Sequence, residues 1–149
     1  MKWFKKEEVI PCYREKKQDR CVDCRLTQAV TRLPNGLDQS MDALIDVIMD
    51  PAREKLSMPI ICNSGFRCPR HNSYVKGASQ SQHMRCEAMD CHCADNRKLA
   101  QIIVAQGKFD QLIIYPTFIH VSYKKAGGNR KQILKKTATG YQRIDASSI

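Results

Sequence analysis

No stretch of this chain approaches the ~18–20 consecutive apolar residues that a membrane-spanning helix requires, so an integral helical membrane protein is excluded. The opening Met1-Lys2-Trp3-Phe4-Lys5-Lys6-Glu7-Glu8 leads into no apolar core or small-residue cleavage site, and no secretory signal is expected. Internal repeats and low-complexity tracts are lacking, which excludes solenoids and linker-like chains. The basic residues lack the interleaved aromatics of a nucleic-acid stacking platform, so a nucleic-acid partner is not expected.

What is present is enough for one domain. A chain of 149 residues buries roughly two thirds of its unfolded surface. We therefore read residues 1–149 as a single monomeric domain with a cysteine-bearing N-terminal segment (1–36) and a basic peripheral tail (127–149). The 25 basic and 15 acidic side chains leave a net charge of +10, which favours anionic surroundings such as cell-wall polymers. Eight cysteines without a secretory signal read as thiols or metal ligands rather than disulfides. Cys12, Cys21 and Cys24 offer three soft ligands for a possible second metal, although no second CxxC pair completes the set. For these three, small buried thiols are an equal reading, and for Cys62 the preferred one.

Hydrophobic spacing organises the rest. Trp3, Phe4, Val9 and Ile10 have near-helical spacing, and a polar stretch of loops runs to about residue 36. Met41, Leu44, Ile45 and Ile48 follow the i, i+3/i+4 rule of an amphipathic helix, which Pro51 should kink or restart with Asp50 as cap. Pro59-Ile60-Ile61-Cys62 reads as a short buried strand, and Pro69 to Val75 as a helical turn or two. Glu87 to Cys93 suits a strand with Ala88, Asp90 and His92 on one face. Asp95 caps a helix that buries Leu99, Ile102 and Ile103 and stops at Gly107. Phe109 to Ile114 and Phe118 to Tyr123 form a hairpin about Tyr115-Pro116-Thr117, with Phe118, His120 and Ser122 on one side.

A catalytic zinc takes three protein ligands, commonly His nitrogen and carboxylate oxygen, and keeps a fourth position open. His83, Asp90 and His120 supply such a set on neighbouring loop and strand segments. Taken singly, each has an ordinary structural explanation. Together they lie in the strings Ser64-Gly65-Phe66-Arg67, Ser81-Gln82-His83-Met84-Arg85-Cys86-Glu87-Ala88-Met89-Asp90 and Phe118-Ile119-His120-Val121-Ser122.

These strings resemble the M15 family of zinc peptidases, which includes D-alanyl-D-alanine carboxypeptidases and phage endolysins and shares its fold with the hedgehog signalling domain. The family pattern S-x-H-x-x-G-x-A-x-D is met at Ser81, His83, Ala88 and Asp90, with Cys86 in the glycine position. In order along the chain, the likeness covers roughly residues 1–135. It implies an α+β fold whose small central, mostly antiparallel sheet carries the ligands and is flanked by helices. It further implies Zn2+ held by His83, Asp90 and His120, Arg67 steadying the substrate or developing oxyanion, and Ser81 and Gln82 beside the substrate. The expected reaction is hydrolysis of a bacterial peptidoglycan stem peptide by a metal-activated water. With no signal sequence, a phage- or prophage-encoded lysis enzyme, made in the cytoplasm and acting on the wall after release, is the expected setting.

One departure bears on catalysis. Family members commonly carry a carboxylate three residues before the last His ligand, where this chain has Thr117; hedgehog-like relatives carry one six residues before it, here Ile114. Asp110, Glu87 and His92 are the candidate replacements for a general base. A weakly active member that only binds wall peptide or another protein is the alternative, and a cysteine-knuckle nucleic-acid binder is a distant third.

Overall fold

A computed structural model of the chain describes residues 1–10 and 37–149. Cys12, Cys21 and Cys24, and hence the possible second metal, lie outside the described residues. In chain order the described elements are α1 (Lys6–Val9), α2 (Leu37–Leu44), a π-helical turn (Ile45–Met49), α3 (Asp50–Leu56), β1 (Ile61–Ser64), α4 (Pro69–Tyr74) and a 3-10 turn (Gln82–Arg85). They continue with β2 (Ala88–His92), α5 (Asn96–Gln106), β3 (Gln111–Ile114), β4 (Ile119–Ser122), β5 (Gln132–Thr137), β6 (Gly140–Arg143) and a final 3-10 turn (Ala146–Ser148).

Among the described residues the strands form one six-stranded mixed sheet in the order β1-β2-β4-β3-β5-β6, flanked by helices: the α+β class the sequence leads one to expect. Of the pairings among the described strands, β3–β5 is parallel and the others antiparallel. Side chains alternate across a sheet, so the register assigns each residue a face. Met89, Val121, Leu112 and Ile133 lie in one row across β2, β4, β3 and β5, all 0–7% exposed. This apolar face packs in one core cluster with Met41, Leu44, Ile45, Ile48 and Met49 of the long N-terminal helix and Leu99 and Ile103 of α5. The opposite face carries the row Asp90, His120, Ile113 and Leu134. No helix among the described residues is long and apolar enough to cross a membrane.

Three local expectations need correction. Pro51 does not restart its helix with Asp50 as cap. Residues 37–56 run on through a π turn in which the Asp50 N–H reaches the Ile45 carbonyl, and the wider turn accommodates a proline that cannot donate. Asp50 is not a helix cap; its carboxylate accepts the backbone N–H groups of Lys2 (2.5 Å) and Trp3 (3.1 Å), tying the N-terminal segment to the helix. The strand expected at Pro59–Cys62 is shifted to Ile61–Ser64, and it is an edge strand with Ile61 54% exposed and Cys62 half-buried. Residues 127–149, read as a peripheral tail, contribute β5 and β6. Ile133 reaches the core, a contribution that one buried apolar residue among lysines does not advertise in sequence.

Candidate metal centre and active site

Asp90, His120 and Ile113 of that row line the floor of a cleft of about 670 Å³. Asp90 of β2 and His120 of β4 are direct cross-strand partners, so their side chains rise side by side, and Asp90 Oδ1 lies 2.9 Å from His120 Nδ1. His83 enters from the 3-10 turn. The Ser81 hydroxyl caps that turn by accepting the His83 N–H at 3.3 Å, and the Arg67 N–H donates to the His83 carbonyl at 3.1 Å. The turn ends at Cys86 with φ +56°, a left-handed conformation that explains why the family pattern has glycine there.

The His83 ring is oriented from behind. Its Nδ1 lies 2.7 Å from the Gly65 carbonyl oxygen, which can only accept, so Nδ1 carries the proton and Nε2 presents a lone pair. That Nε2 faces Asp90 Oδ1 and His120 Nδ1, each at 3.2 Å. Gly65 itself has no room for a side chain, since a Cβ there would lie 2.0 Å from the Val9 carbonyl oxygen, while the Phe66 N–H donates to that same oxygen.

Two nitrogens and a carboxylate oxygen thus form a triangle with edges of 2.9, 3.2 and 3.2 Å. A tetrahedral site with bonds of ~2.0–2.1 Å has donor edges of about 3.3 Å, so the set fits a metal ion with little adjustment. It is the group among the described residues that could hold one. Electrostatics agree. Burial pushes the Asp90 carboxyl upward, but its contacts with the His120 and His83 rings outweigh this and hold it well below the usual carboxylate range. Burial lowers the His120 pKa against the pull of Asp90, which favours the neutral imidazole a metal requires.

Arg67 lines the same cleft. Its Nε is buried and has no hydrogen-bond partner among the described residues, an orphan donor in a polar site. Burial lowers its pKa, opposed by the negative charge of Asp90. Gln82 also lines the cleft, its amide nitrogen donating to Asp110 Oδ2 at 3.1 Å and Glu87 Oε2 at 3.4 Å. The Ser81 hydroxyl is engaged as a cap, although the residue borders the cleft.

The replacement bases fare poorly. His92 shares a sheet face with Asp90 but binds Asn63 Oδ1 at 2.5 Å and does not reach the cleft. Glu87 lies outside it too, held by Gln82 and Arg85. Asp110 reaches the cleft but is fully buried and gripped by Arg130, with Nη2 to Oδ2 at 2.7 Å. Asp90 and Asp110 are the carboxylates lining the cleft among the described residues, and neither is disposed to take a proton.

Sequence reasoning missed the far wall. Lys124, Arg130 and Tyr141 come from the connection after β4 and from β6, and Tyr115 follows β3. Period-two alternation from Ile113 could have placed Tyr115, whereas Tyr141 had no signal in a segment read as a tail.

A sheet presenting paired Asp and His donors, completed by a histidine from a capped turn, is a metallohydrolase type of centre. The chain belongs to the peptidase M15 family, whose model matches residues 10–122 and so includes Arg67, His83, Asp90 and His120. M15 peptidases are metal-dependent, which accords with this donor set. No curated protein matches the chain.

Proposed function

We propose that this protein is a zinc-dependent peptidase acting on bacterial peptidoglycan stem peptides, as a D-alanyl-D-alanine carboxypeptidase or an endolysin-type endopeptidase. The observation that carries the reading is the convergence of His83 Nε2, Asp90 Oδ1 and His120 Nδ1 beside the unpartnered Arg67 Nε in one cleft. A borderline-soft donor set of two imidazoles and one carboxylate suits zinc. When bound, zinc would lower the pKa of a water toward about 7 and polarise the scissile carbonyl. Arg67 supplies permanent charge and a donor to the carbonyl or a substrate carboxylate. Gln82 directs its amide nitrogen to two carboxylates, so Oε1 is the atom left to accept a substrate N–H. Lys76, Arg85, Lys124 and Arg130 make the cleft cationic, in keeping with a carboxylate-bearing peptide and an anionic wall.

One observation favours a second reading, a metal-containing binding module: both carboxylates in the cleft are already committed. Losing a general base costs typically 10²–10⁴-fold in rate, which leaves slow hydrolysis measurable. The test is metal analysis of purified wild type, His83→Ala and His120→Ala, together with release of peptide or D-alanine from peptidoglycan with and without chelator. About one zinc per chain, lost in both variants, with chelator-sensitive hydrolysis is the expected result. Zinc retained by both variants would sink the site, and zinc-dependent binding without hydrolysis would establish the module.

A further inference from the structure

Beside the centre lies a phenol that neither the family motif nor the metal geometry accounts for. Tyr115 is two residues beyond Ile113, which is the direct cross-strand partner of His120, so Tyr115 emerges on the same face of the sheet. Its N–H donates to the Phe118 carbonyl at 3.0 Å, placing it diagonally from His120, a separation of about 7–8 Å between backbones that a long side chain spans. The ring is clamped: it stacks on Phe118 at 4.3 Å with an interplanar angle of 10°. Tyr141 of β6 meets its edge and places its hydroxyl 3.1 Å from the Tyr115 hydroxyl. Both tyrosines line the cleft with Arg67, Asp90 and His120.

We infer that Tyr115 is a catalytic hydrogen-bond donor to the oxyanion that develops on the scissile carbonyl, with Tyr141 positioning it. This rests on the peptidase reading above. The physical case is one of available donors. The Gln82 amide nitrogen is committed to two carboxylates, whereas the Tyr115 hydroxyl's hydrogen-bond partner among the described residues is another hydroxyl, that of Tyr141. If Tyr141 donates to the Tyr115 oxygen, the Tyr115 proton is left for the reacting centre, and donation from Tyr141 polarises it. Burial and the Tyr141 contact keep the phenol protonated, so it donates throughout the neutral range. In the step itself, water oxygen bonds to the carbonyl carbon and the π pair moves onto the carbonyl oxygen. Water's proton passes to solvent, and the amide nitrogen takes one from solvent as the C–N bond breaks. Tyr115 keeps its proton and contributes only a hydrogen bond, stronger to the oxyanion than to the neutral carbonyl.

Tyr115→Phe retains the stacking on Phe118, so a merely structural tyrosine would survive it. In the full zinc-loaded chain we expect unchanged metal content, kcat lowered by about 100-fold and KM within about threefold. Calorimetry with a phosphinate isostere of D-alanyl-D-alanine should show affinity falling about tenfold or more, because the probe presents the tetrahedral oxyanion. Tyr141→Phe should act in the same direction by roughly 3- to 10-fold in kcat. A Tyr115→Phe variant with full kcat, a loss confined to KM, or unaltered phosphinate affinity would overturn the inference while the active wild type leaves the peptidase reading standing. A wild type that hydrolyses nothing overturns both.

Discussion

The two walls of the cleft are built on different principles. On one side, β1, the 3-10 turn, β2 and β4 position His83, Asp90 and His120 through backbone contacts: a cross-strand pair, a hydroxyl cap and the Gly65 carbonyl behind an imidazole. On the other, the segment after β4 contributes Lys124, Arg130 and Tyr141 from partly or largely exposed positions. Besides the β3–β5 pairing, it is tied to the centre's side by the buried Asp110, whose carboxylate accepts the Arg130 backbone N–H at 3.0 Å and its guanidinium at 2.7–3.2 Å. The first wall falls within the matched residues 10–122, and Arg130 and Tyr141 fall beyond them. A metal site tolerates little displacement and is fixed by backbone, whereas a substrate wall can be set by side chains that vary.

The sharpest way to break this contrast is Gly65→Ala. Its Cβ would meet the Val9 carbonyl oxygen at 2.0 Å, so the 64–67 segment must move and take its carbonyl from His83 Nδ1. We expect about 3 kcal/mol of lost stability and a 10–100-fold loss of metal affinity, read by thermal unfolding and chelator competition. Unchanged affinity would show that the orientation of His83 is set elsewhere.

Asp110→Asn probes the other wall. Burial raises the Asp110 carboxyl, but Arg130 outweighs it and holds the pKa down to about 2, from 3.8. A depressed carboxylate contributes stability that is complete above about pH 4 and is lost as pH falls through about 2, a difference of about 2 kcal/mol. Urea unfolding of wild type and variant should therefore differ by about that amount at pH 7 and converge toward pH 2, with metal affinity at neutral pH retained. A comparable loss of metal affinity would merge the two walls into one unit.

The smallest effect is expected at Cys86→Gly. Relief of a left-handed non-glycine residue, about 1–2 kcal/mol, is offset by lost burial of a fully buried side chain and by glycine's backbone entropy, leaving a net change within about 1 kcal/mol. A larger loss, measured by denaturant unfolding, would mean that the Cys86 side chain matters beyond its volume.

Much of the centre was legible because its parts are local. The S-x-H-x-x-G-x-A-x-D string encodes a capped turn feeding a strand, and period two then places Asp90 on the polar face opposite the buried Met89 and Cys91. His120 was legible as the polar interruption of an apolar run. The π turn at Pro51 was not, because a kink, a restart and a widened turn answer a missing N–H equally well in sequence, and the packing of Ile45, Ile48 and Met49 selects among them. His92 illustrates the opposite failure: alternation placed it on the same face as Asp90, but the edge strand beside it offered Asn63 as a partner.

By itself, then, the sequence determined the helix from Leu37 and the hairpin, which depend on short-range periodicity, and, through its resemblance to the M15 peptidases, the α+β class and the three side chains that could hold a metal. The tertiary structure alone decided that Gly65 orients His83, that the basic tail becomes two strands, and that Tyr141 meets Tyr115 across the cleft. Those contacts join residues 18 to 26 positions apart through a parallel strand pairing and a close backbone approach, and no local pattern of residue types records such meetings.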